Sequence, residues 1–173
     1  MENPQSRVQI LDQAAIQARL RRMAYEIYET HYGSKRLIVI GIDVRGGVLA
    51  HELVRQLREI SSLEVELVPA HLDRDSAPPG IGIELQAEVA DLQGQRLLVV
   101  DDVLYTGTTM LHVVSILLHA QPASLRTAVL IDRGHRLMPV SSDVVGLQLA
   151  TTLQQHVEVE FHEDGGLTGA YLR

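Results

Sequence analysis

The sequence predicts an α/β protein built on a doubly wound, mainly parallel sheet with flanking helices. Three apolar runs, at residues 37–42, 97–100 and 125–131, have the length and the near-continuous apolar character of strands buried on both faces. Apolar residues recur at helical spacing after the first two runs, and this alternation is typical of a parallel sheet. Ligands bind such sheets at the carboxyl ends of the strands, so the segments after these runs form the candidate site.

The composition limits the classes of protein that the chain can belong to. Its 173 residues, 46% of them hydrophobic, suffice for one domain with a sizeable core, and we predict a single domain over residues 1–173. The chain lacks cysteine, which excludes a disulfide framework, a thiolate metal site and a cysteine nucleophile. Its net charge of −7 disfavours broad electrostatic binding to nucleic acid. The sequence shows no signal peptide and no membrane-spanning stretch, so we expect a cytoplasmic protein without a membrane partner.

The remaining predicted elements are shorter. Residues 8–11 form a short apolar entry, Asp12 can cap the helix that follows, and Gly33 suits the end of that helix. Further strands are predicted at residues 65–68, 84–89, 144–145 and 157–161, with a turn at residues 163–166. Residues 76–82 are rich in proline and glycine and form a mobile loop, of the kind that closes over a reactive intermediate.

The most informative segment is residues 97–110, which read LLVVDDVLYTGTTM. Two adjacent carboxylates, Asp101 and Asp102, follow the apolar run and precede a turn of small residues at the start of a helix. The N–H groups at a helix N-terminus suit a phosphate, and Gly107 lets the backbone approach it. The carboxylates suit the vicinal hydroxyls of a ribose or a Mg²⁺ ion. The segment therefore predicts a site for a ribose 5-phosphate, although the turn alone also fits an ordinary connection with capping threonines.

Two further segments fall at the same edge of the predicted sheet. Residues 43–47, DVRGG, place glycines and Arg45 between a strand and a helix, a pattern that can form an anion-binding nest. Residues 132–136, DRGHR, follow the strand at 125–131. Arg74, beside the mobile loop, could also reach a phosphate. The shared position of the three segments at strand ends is stronger support for a site than any one of them.

Other kinds of site are poorly supported. The eight histidines include no H-x-x-x-H pair, which disfavours zinc. The sequence contains no G-x-S-x-G elbow of a serine hydrolase, no G-x-x-x-x-G-K-[ST] loop and no G-x-G-x-x-G fingerprint. These patterns disfavour a hydrolase, a nucleoside triphosphatase and a dinucleotide-binding protein.

The strings DDVLYTG, LIDRGHR with its following proline, and the opening ILD resemble the pyrimidine operon regulator (PyrR) family. The resemblance extends from about residue 8 to residue 171. It implies the type I phosphoribosyltransferase fold with a small hood, and phosphoribosyl pyrophosphate (PRPP) as a substrate. Members of that family have uracil phosphoribosyltransferase activity, and many also bind pyrimidine-operon mRNA.

The resemblance also implies roles for individual residues. Asp101 and Asp102 would hold the ribose hydroxyls, directly or through Mg²⁺, and would be catalytic together with Arg74. Tyr105 stands where purine phosphoribosyltransferases usually carry an aspartate, which favours a pyrimidine. The residues implied to bind PRPP are Asp43, Val44, Arg45, Gly46, Asp101, Asp102, Val103, Leu104, Tyr105, Thr106, Gly107, Thr108 and Thr109. The residues implied to lie near the base are Asp132, Arg133, Gly134 and His135, with Arg136 completing that string.

The implied reaction converts uracil and PRPP to UMP and pyrophosphate, as in pyrimidine salvage. Two alternatives stay open: a sensor of UMP or PRPP that binds pyrimidine-operon mRNA with little catalysis, and transfer to another base or amine. The resemblance further implies a homodimer or a higher homo-oligomer.

The chain departs from the family pattern at several positions. Thr108 replaces an arginine, the loop after Arg74 is short, and Asp73 stands where the family tends to have tyrosine, which bears on the turnover rate. Ser141 and Leu147 replace basic residues implicated in RNA contact, which disfavours RNA binding. A basic patch of Arg21, Arg22 and Arg136 is nevertheless matched.

Overall fold

A computed structural model describes residues 7–73, 82–152, 154–162 and 166–173. In chain order its elements are β1 (Val8–Asp12), α1 (Gln13–Thr30), β2 (Arg36–Ile42), α2 (Asp43–Ile60), β3 (Glu64–Asp73), β4 (Gly82–Leu85), a 3₁₀ helix (Val89–Leu92), β5 (Arg96–Leu104), α3 (Thr108–Leu118), β6 (Ser124–Asp132), β7 (Val144–Gln148), β8 (Val157–Phe161) and β9 (Leu167–Leu172). The predicted mobile loop lies outside the described residues except for Gly82, and so does Arg74. The predicted turn at residues 163–166 lies outside them except for Gly166.

The central sheet has six strands in the order β4-β3-β2-β5-β6-β7. β3, β2, β5, β6 and β7 run parallel to their neighbours, and β4 is antiparallel to β3. Every residue of β2 after Arg36 is buried, in agreement with a strand covered on both faces. The mainly parallel sheet that the sequence predicted is confirmed. From β2 the chain passes to β3 on one side, whereas β5 lies on the other, so the topological switch falls between β2 and β5.

Helices cover both faces of this sheet. α1 and α2 pack against one face, over a core that includes Leu37, Val39 and Leu98. α3 packs against the other, over Ile40 and Val99. The predicted cap of α1 is confirmed, because the Asp12 carboxylate accepts the Ala15 N–H at 2.7 Å. Of the helices in the described ranges, none has the length and apolarity that a membrane crossing requires.

A second sheet, with the order β1-β9-β8, forms the hood. Its strands are antiparallel, and β1 pairs Val8 with Leu172 of β9. Arg7 contacts two strands of this sheet. Its guanidinium lies 3.5 Å from the centre of the Tyr171 ring in β9 and also pairs with Glu160 of β8. β9 was not predicted from the sequence, because its small residues break the apolar alternation on which such predictions depend.

Among the boundaries that differ from those predicted, three lie in β5, α2 and β4. β5 continues to Leu104, so the adjacent carboxylates lie within the strand rather than after it, because β6 pairs with β5 as far as Leu104. α2 begins at Asp43, so the predicted glycine turn is the first turn of a helix. β4 spans Gly82–Leu85, so the strand predicted at residues 84–89 ends earlier, and a 3₁₀ helix begins at Val89.

Candidate functional site

The three segments that the sequence placed at strand ends lie together in the structure. The first turn of α2 packs on β5, since Gly46 lies against the backbone of Val100 and Asp101. The segment after β6 is bonded to the segment after β5: the N–H of Arg133 donates to the Leu104 carbonyl at 3.0 Å. The N–H of Leu137 donates in the same way to the Thr106 carbonyl at 2.9 Å. The site therefore spans the ends of β2, β5 and β6, next to the topological switch.

The first turn of α2 depends on a close approach between backbones. A Cβ atom at Gly46 would lie 2.7 Å from the Val100 carbonyl oxygen, which no larger residue could tolerate without a shift of the helix. Asp43 opens the turn with a φ of 50°, and its carboxylate accepts the Leu72 N–H at 2.8 Å. The left-handed residue that an anion-binding nest requires is thus Asp43, not one of the glycines.

Arg45 projects from this turn toward the carboxylates of β5. Its guanidinium lies 3.8 Å from the Asp102 carboxylate, and 5.9 Å from the centre of the Phe161 ring, which belongs to the hood. Half of the Arg45 side chain remains exposed. A cavity of about 490 Å³ opens here, lined by Asp43, Arg45, Leu72, Asp101 and Asp102 among others. A half-exposed cation therefore borders a cavity that carboxylates also line.

Asp101 and Asp102 carry unfavourable charge in the folded protein. Burial, followed by the neighbouring charge of Asp102 and that of Asp43, raises the pKa of Asp101 well above its usual value. Burial also raises the pKa of Asp102, although Arg45 opposes that shift. Each carboxylate accepts the N–H of the following residue at 2.9 Å. Adjacent carboxylates whose ionisation is unfavourable in the folded protein are suited to bind a cation or hydroxyl donors, which stabilise the ionised form.

Residues 101–109, which we call the β5–α3 cradle, supply most of the lining of a smaller cavity of about 190 Å³. Gly107 is the N-cap of α3 with a φ of 82°, and no side chain caps the helix there. The Thr106 hydroxyl donates to the Thr108 hydroxyl at 3.1 Å. The Thr106 hydroxyl also accepts the Thr108 N–H at 3.4 Å. Thr106, Gly107 and Thr109 line the cavity, so the start of α3 borders an opening that suits a phosphate.

Residues 132–136 and 148–151, which we call the β6–β7 pocket, line a cavity of about 480 Å³. Asp132 is buried, pairs with Arg136 and accepts the Gly134 N–H at 2.9 Å. His135 is bonded through Nε2 to the Thr151 carbonyl. Gly134 adopts a φ of 71°, which brings the chain back over the strand end. The polar groups of this pocket are largely engaged with one another.

The segment after β7 belongs to the site and was missed in the sequence. Arg133, which is 3% exposed, donates from Nε to the Thr151 hydroxyl at 3.1 Å, and its terminal nitrogen donates to the carbonyls of Thr152 and Gln155. One signal was available, because this segment follows the strand next to β6 and parallel strands share one carboxyl edge. Its polar residues, however, carry no periodicity or motif that marks them.

The fold and the site define a phosphoribosyltransferase, because residues 6–164 match the phosphoribosyl transferase domain family. The chain is also 35% identical over 167 residues to the bifunctional protein PyrR of Listeria welshimeri, an alignment that covers 90% of each chain. It is 37% identical over 164 residues to the bifunctional protein PyrR of Staphylococcus epidermidis, covering 89% of this chain and 91% of the relative. The chain therefore belongs to the PyrR family of type I phosphoribosyltransferases, as its sequence motifs indicated.

Solved structures agree with this fold at lower sequence identity. A hypoxanthine phosphoribosyltransferase of Trypanosoma cruzi, in a ternary complex with its substrates, has a TM-score of 0.77 and 18% identity, with 93% of each chain covered. A hypoxanthine-guanine phosphoribosyltransferase of Bacillus anthracis has a TM-score of 0.71 and 18% identity, covering 82% of this chain and 81% of that one. At such identities the likeness concerns the fold, and the choice of base must be argued from the site.

Proposed function

We propose that this enzyme transfers the phosphoribosyl group of PRPP to uracil, giving UMP and pyrophosphate. One observation carries the proposal: two adjacent carboxylates, an uncapped helix N-terminus and a separate pocket lie side by side at the ends of β5 and β6. A ribose 5-phosphate requires the first two features, and a base bonded to C1 of the ribose requires the third. The N1 atom of uracil forms the new bond to C1 as the C1–O bond to pyrophosphate breaks, and the N1 proton passes to solvent.

In this proposal the protein mainly positions its substrates and balances charge. The β5–α3 cradle binds the 5-phosphate at the first turn of α3, and Asp101 and Asp102 bind the ribose hydroxyls. The first turn of α2, with Arg45, binds the pyrophosphate on the other side of the carboxylates. Held in this way, PRPP presents C1 to the base at a high effective concentration, and Arg45 stabilises the departing charge. Arg74, which lies outside the described residues, keeps its predicted catalytic role in this proposal.

The carboxylates also fit a Mg²⁺ ion that arrives with PRPP. Hard carboxylate oxygens are the ligands that Mg²⁺ prefers, and a cation would relieve the charge that raises the pKa of Asp101. Over the described ranges, no cluster of three or more histidine, cysteine or acidic side chains could hold a metal alone. Asp101 and Asp102 would therefore hold the ion together with oxygen atoms of PRPP and water. When bound, Mg²⁺ would supply positive charge to the leaving pyrophosphate.

Tyr105 supports a pyrimidine rather than a purine. Its ring lies edge-on to His135, with 6.2 Å between the ring centres, at the border of the β6–β7 pocket. A purine enzyme would use a carboxylate at this position to share a proton with the base, and a phenol is a much weaker acid than a carboxylic acid. Solved neighbours of the same fold act on hypoxanthine or guanine according to their names, so the base must be tested directly.

A substrate panel tests the proposal. The purified chain, Mg²⁺ and PRPP would be incubated separately with radiolabelled uracil, cytosine, hypoxanthine, guanine and adenine, with reactions that lack PRPP or Mg²⁺ as blanks. We expect UMP from uracil at a rate well above the other bases. Absence of UMP above the blanks, or faster formation of a purine nucleotide, would refute the proposal.

We further propose that RNA binding by this chain is weak. The relatives are named bifunctional, but Arg22 is bonded to Glu26 and to the carbonyls of Val145 and Gly146, and Arg136 pairs with Asp132. The ion pairs of Arg22 and Arg136, with the net charge of −7, weaken the attraction of this surface for phosphates. A gel shift with the leader of a pyrimidine operon should show little retardation. A tight complex with a steep dependence on salt concentration would contradict this.

A further inference from the structure

Arg133 and its neighbour Asp132 are the most deeply buried charged residues of the site, and of the two only Arg133 has no ion-pair partner among the described residues. Only 3% of it is exposed, although a guanidinium is almost never buried unless it is paired and hydrogen-bonded. The sequence placed it near the base, yet its exposure leaves very little of the side chain for a ligand to touch. Its contacts must therefore compensate for the loss of water, and those contacts indicate what it does.

The partners of Arg133 come from two segments that are distant in sequence. Toward the segment after β7 it donates to the Thr151 hydroxyl and to the carbonyls of Thr152 and Gln155. Toward the β5–α3 cradle its guanidinium carbon lies 3.9 Å from the centre of the Tyr105 ring. A guanidinium at this distance from a ring centre is attracted to the ring face, and the attraction grows when water is excluded. One buried cation thus joins Tyr105 to the wall of the β6–β7 pocket.

Tyr105 lies on the border between the two cavities. It lines the smaller cavity of the β5–α3 cradle. Its ring contacts Arg133 and His135, both of which line the β6–β7 pocket. The ring is half-buried and has no hydrogen bond to fix its orientation among those of the described residues. The stack with Arg133 therefore sets where the ring stands relative to the pocket.

From these contacts we infer that Arg133 is a positioning residue that shapes the base pocket through Tyr105 and residues 151–155. This inference rests on the proposed function, in which the β6–β7 pocket receives the base. Arg133 supports the binding of the base and contributes little to the binding of PRPP. Lysine cannot replace it fully, because an ammonium group lacks the planar fork that stacks on a ring while bonding two segments.

Two ligands separate this role from general support of the fold. UMP occupies the cradle and the base pocket, whereas PRPP leaves the base pocket empty. In Arg133→Met, which keeps an unbranched stem but removes the guanidinium, we expect the Kd for UMP to rise about tenfold or more by calorimetry. The Kd for PRPP with Mg²⁺ should stay within about twofold, and Arg133→Lys should recover part of the affinity for UMP.

Two further variants complete the experiment. Arg126→Gln removes an arginine from the opposite end of β6, where it pairs with Asp143 at 3.5 Å, and should leave both affinities unchanged. Tyr105→Leu tests the same stack by removing the ring, and it keeps the experiment informative if the Arg133 variants fail to fold. In the double variant of Arg133→Met and Tyr105→Leu, the loss of affinity for UMP should be smaller than the product of the single losses.

The outcomes are distinguishable. Parallel loss of affinity for UMP and PRPP would make Arg133 a support of the fold, and unchanged affinity for UMP would remove it from the base pocket; either result overturns the inference. Independent, multiplying effects of Arg133 and Tyr105 would overturn the stack as its basis. Failure of the proposed function would appear instead in the wild type, as no synthesis of UMP and no binding of UMP.

Discussion

The β5–α3 cradle and the β6–β7 pocket are neighbours at one edge of the sheet, but they differ in how well their charged groups are stabilised by partners. In the cradle, burial and the charge of Asp102 raise the pKa of Asp101, so ionisation of Asp101 is unfavourable there. In the pocket, Asp132 pairs with Arg136, and Arg133 is enclosed by a hydroxyl, two carbonyls and a ring. The cradle is held in a costly arrangement that a ligand relieves, whereas the pocket is assembled beforehand.

This contrast predicts different responses to substitution. Removing a polar group from the cradle should reduce activity while it stabilises the fold. Removing one from the pocket should reduce stability together with function, because a buried partner then loses its hydrogen bond or its counter-charge.

The largest effect is expected for Asp101→Asn. Loss of a carboxylate that holds the ribose or Mg²⁺ should lower kcat for UMP formation by roughly 10²- to 10³-fold. The free energy of unfolding at pH 7 should rise, because the amide carries no charge beside Asp102. Initial rates at saturating PRPP and urea denaturation measure the two quantities. Asp91→Asn, at an exposed site ahead of β5, is the matched control. A destabilised Asp101→Asn would show that the cradle is not under electrostatic strain.

The next largest effect is expected from a substitution in the β6–β7 pocket. Asp132→Ala removes the partner of Arg136 and the acceptor of the Gly134 N–H, so the free energy of unfolding should fall by about 2–3 kcal/mol. Urea denaturation at pH 7, beside the wild type and Asp91→Asn, measures this change. Stability equal to that of the wild type would mean that the pocket does not depend on its internal pairing.

Alanine substitutions at two neighbouring glycines, Gly46 and Gly47, test how closely α2 packs against the cradle. Gly46→Ala should lower the free energy of unfolding by about 1–3 kcal/mol and weaken PRPP binding, because the new Cβ would meet the Val100 carbonyl at 2.7 Å. A Cβ at Gly47 meets nothing within 4 Å, so Gly47→Ala should raise that free energy by about 0.5–1 kcal/mol. Equal effects at the two positions would contradict the close packing of Gly46.

The smallest effect is expected in the pH dependence of stability and of PRPP binding. An aspartate has an ordinary pKa of about 3.9, and the folded pKa of Asp101 is raised well above its usual value. The folded chain therefore binds more protons than the unfolded chain between these two values, so this group lowers stability as pH rises through that interval. Binding of Mg²⁺ and PRPP needs the ionised form and should weaken on acidification at a pH above the ordinary range.

Asp102→Asn provides the comparison for that pH profile. It removes one neighbouring charge from Asp101 but leaves burial, the larger cause of the shift. The acid limb of PRPP binding, followed by calorimetry, should therefore move only part of the way toward the ordinary pKa. A limb that stays in place would mean that Asp102 does not raise the pKa of Asp101.

Much of this arrangement could be predicted from the sequence because its signals are local. Apolar runs mark β2, β5 and β6, and the polar strings that follow them need only share one edge of the sheet to meet. The family was recognised from the same strings. The start of α2 was predicted wrongly, because glycines usually indicate a turn, whereas here contact with Val100 requires a glycine inside a helix.

Other features depend on contacts that no local pattern records. The bonds of Arg133 to Thr151 and Gln155 join residues 18 and 22 positions apart, across a connection without periodicity. β9 is a strand because β1 and β8 pair with it from both sides, and its own residues indicate a strand only weakly. The roles predicted for Asp101, Asp102 and Tyr105 stay predictions until the ligand experiments are done.

The pairing of Val8 with Leu172 in the hood has a kinetic consequence. The two strands are separated by nearly the whole chain, so closing that loop costs more entropy than any pairing in the central sheet, and the cost is recovered only when β1, β8 and β9 meet. The hood should therefore fold last and open first, exchanging its amide hydrogens faster than β2, β5 and β6. Because the Arg45 guanidinium lies 5.9 Å from the centre of the Phe161 ring, each such opening would also uncover the end of the site proposed to bind pyrophosphate. The interval between openings would then set an upper limit on how long a ligand stays enclosed.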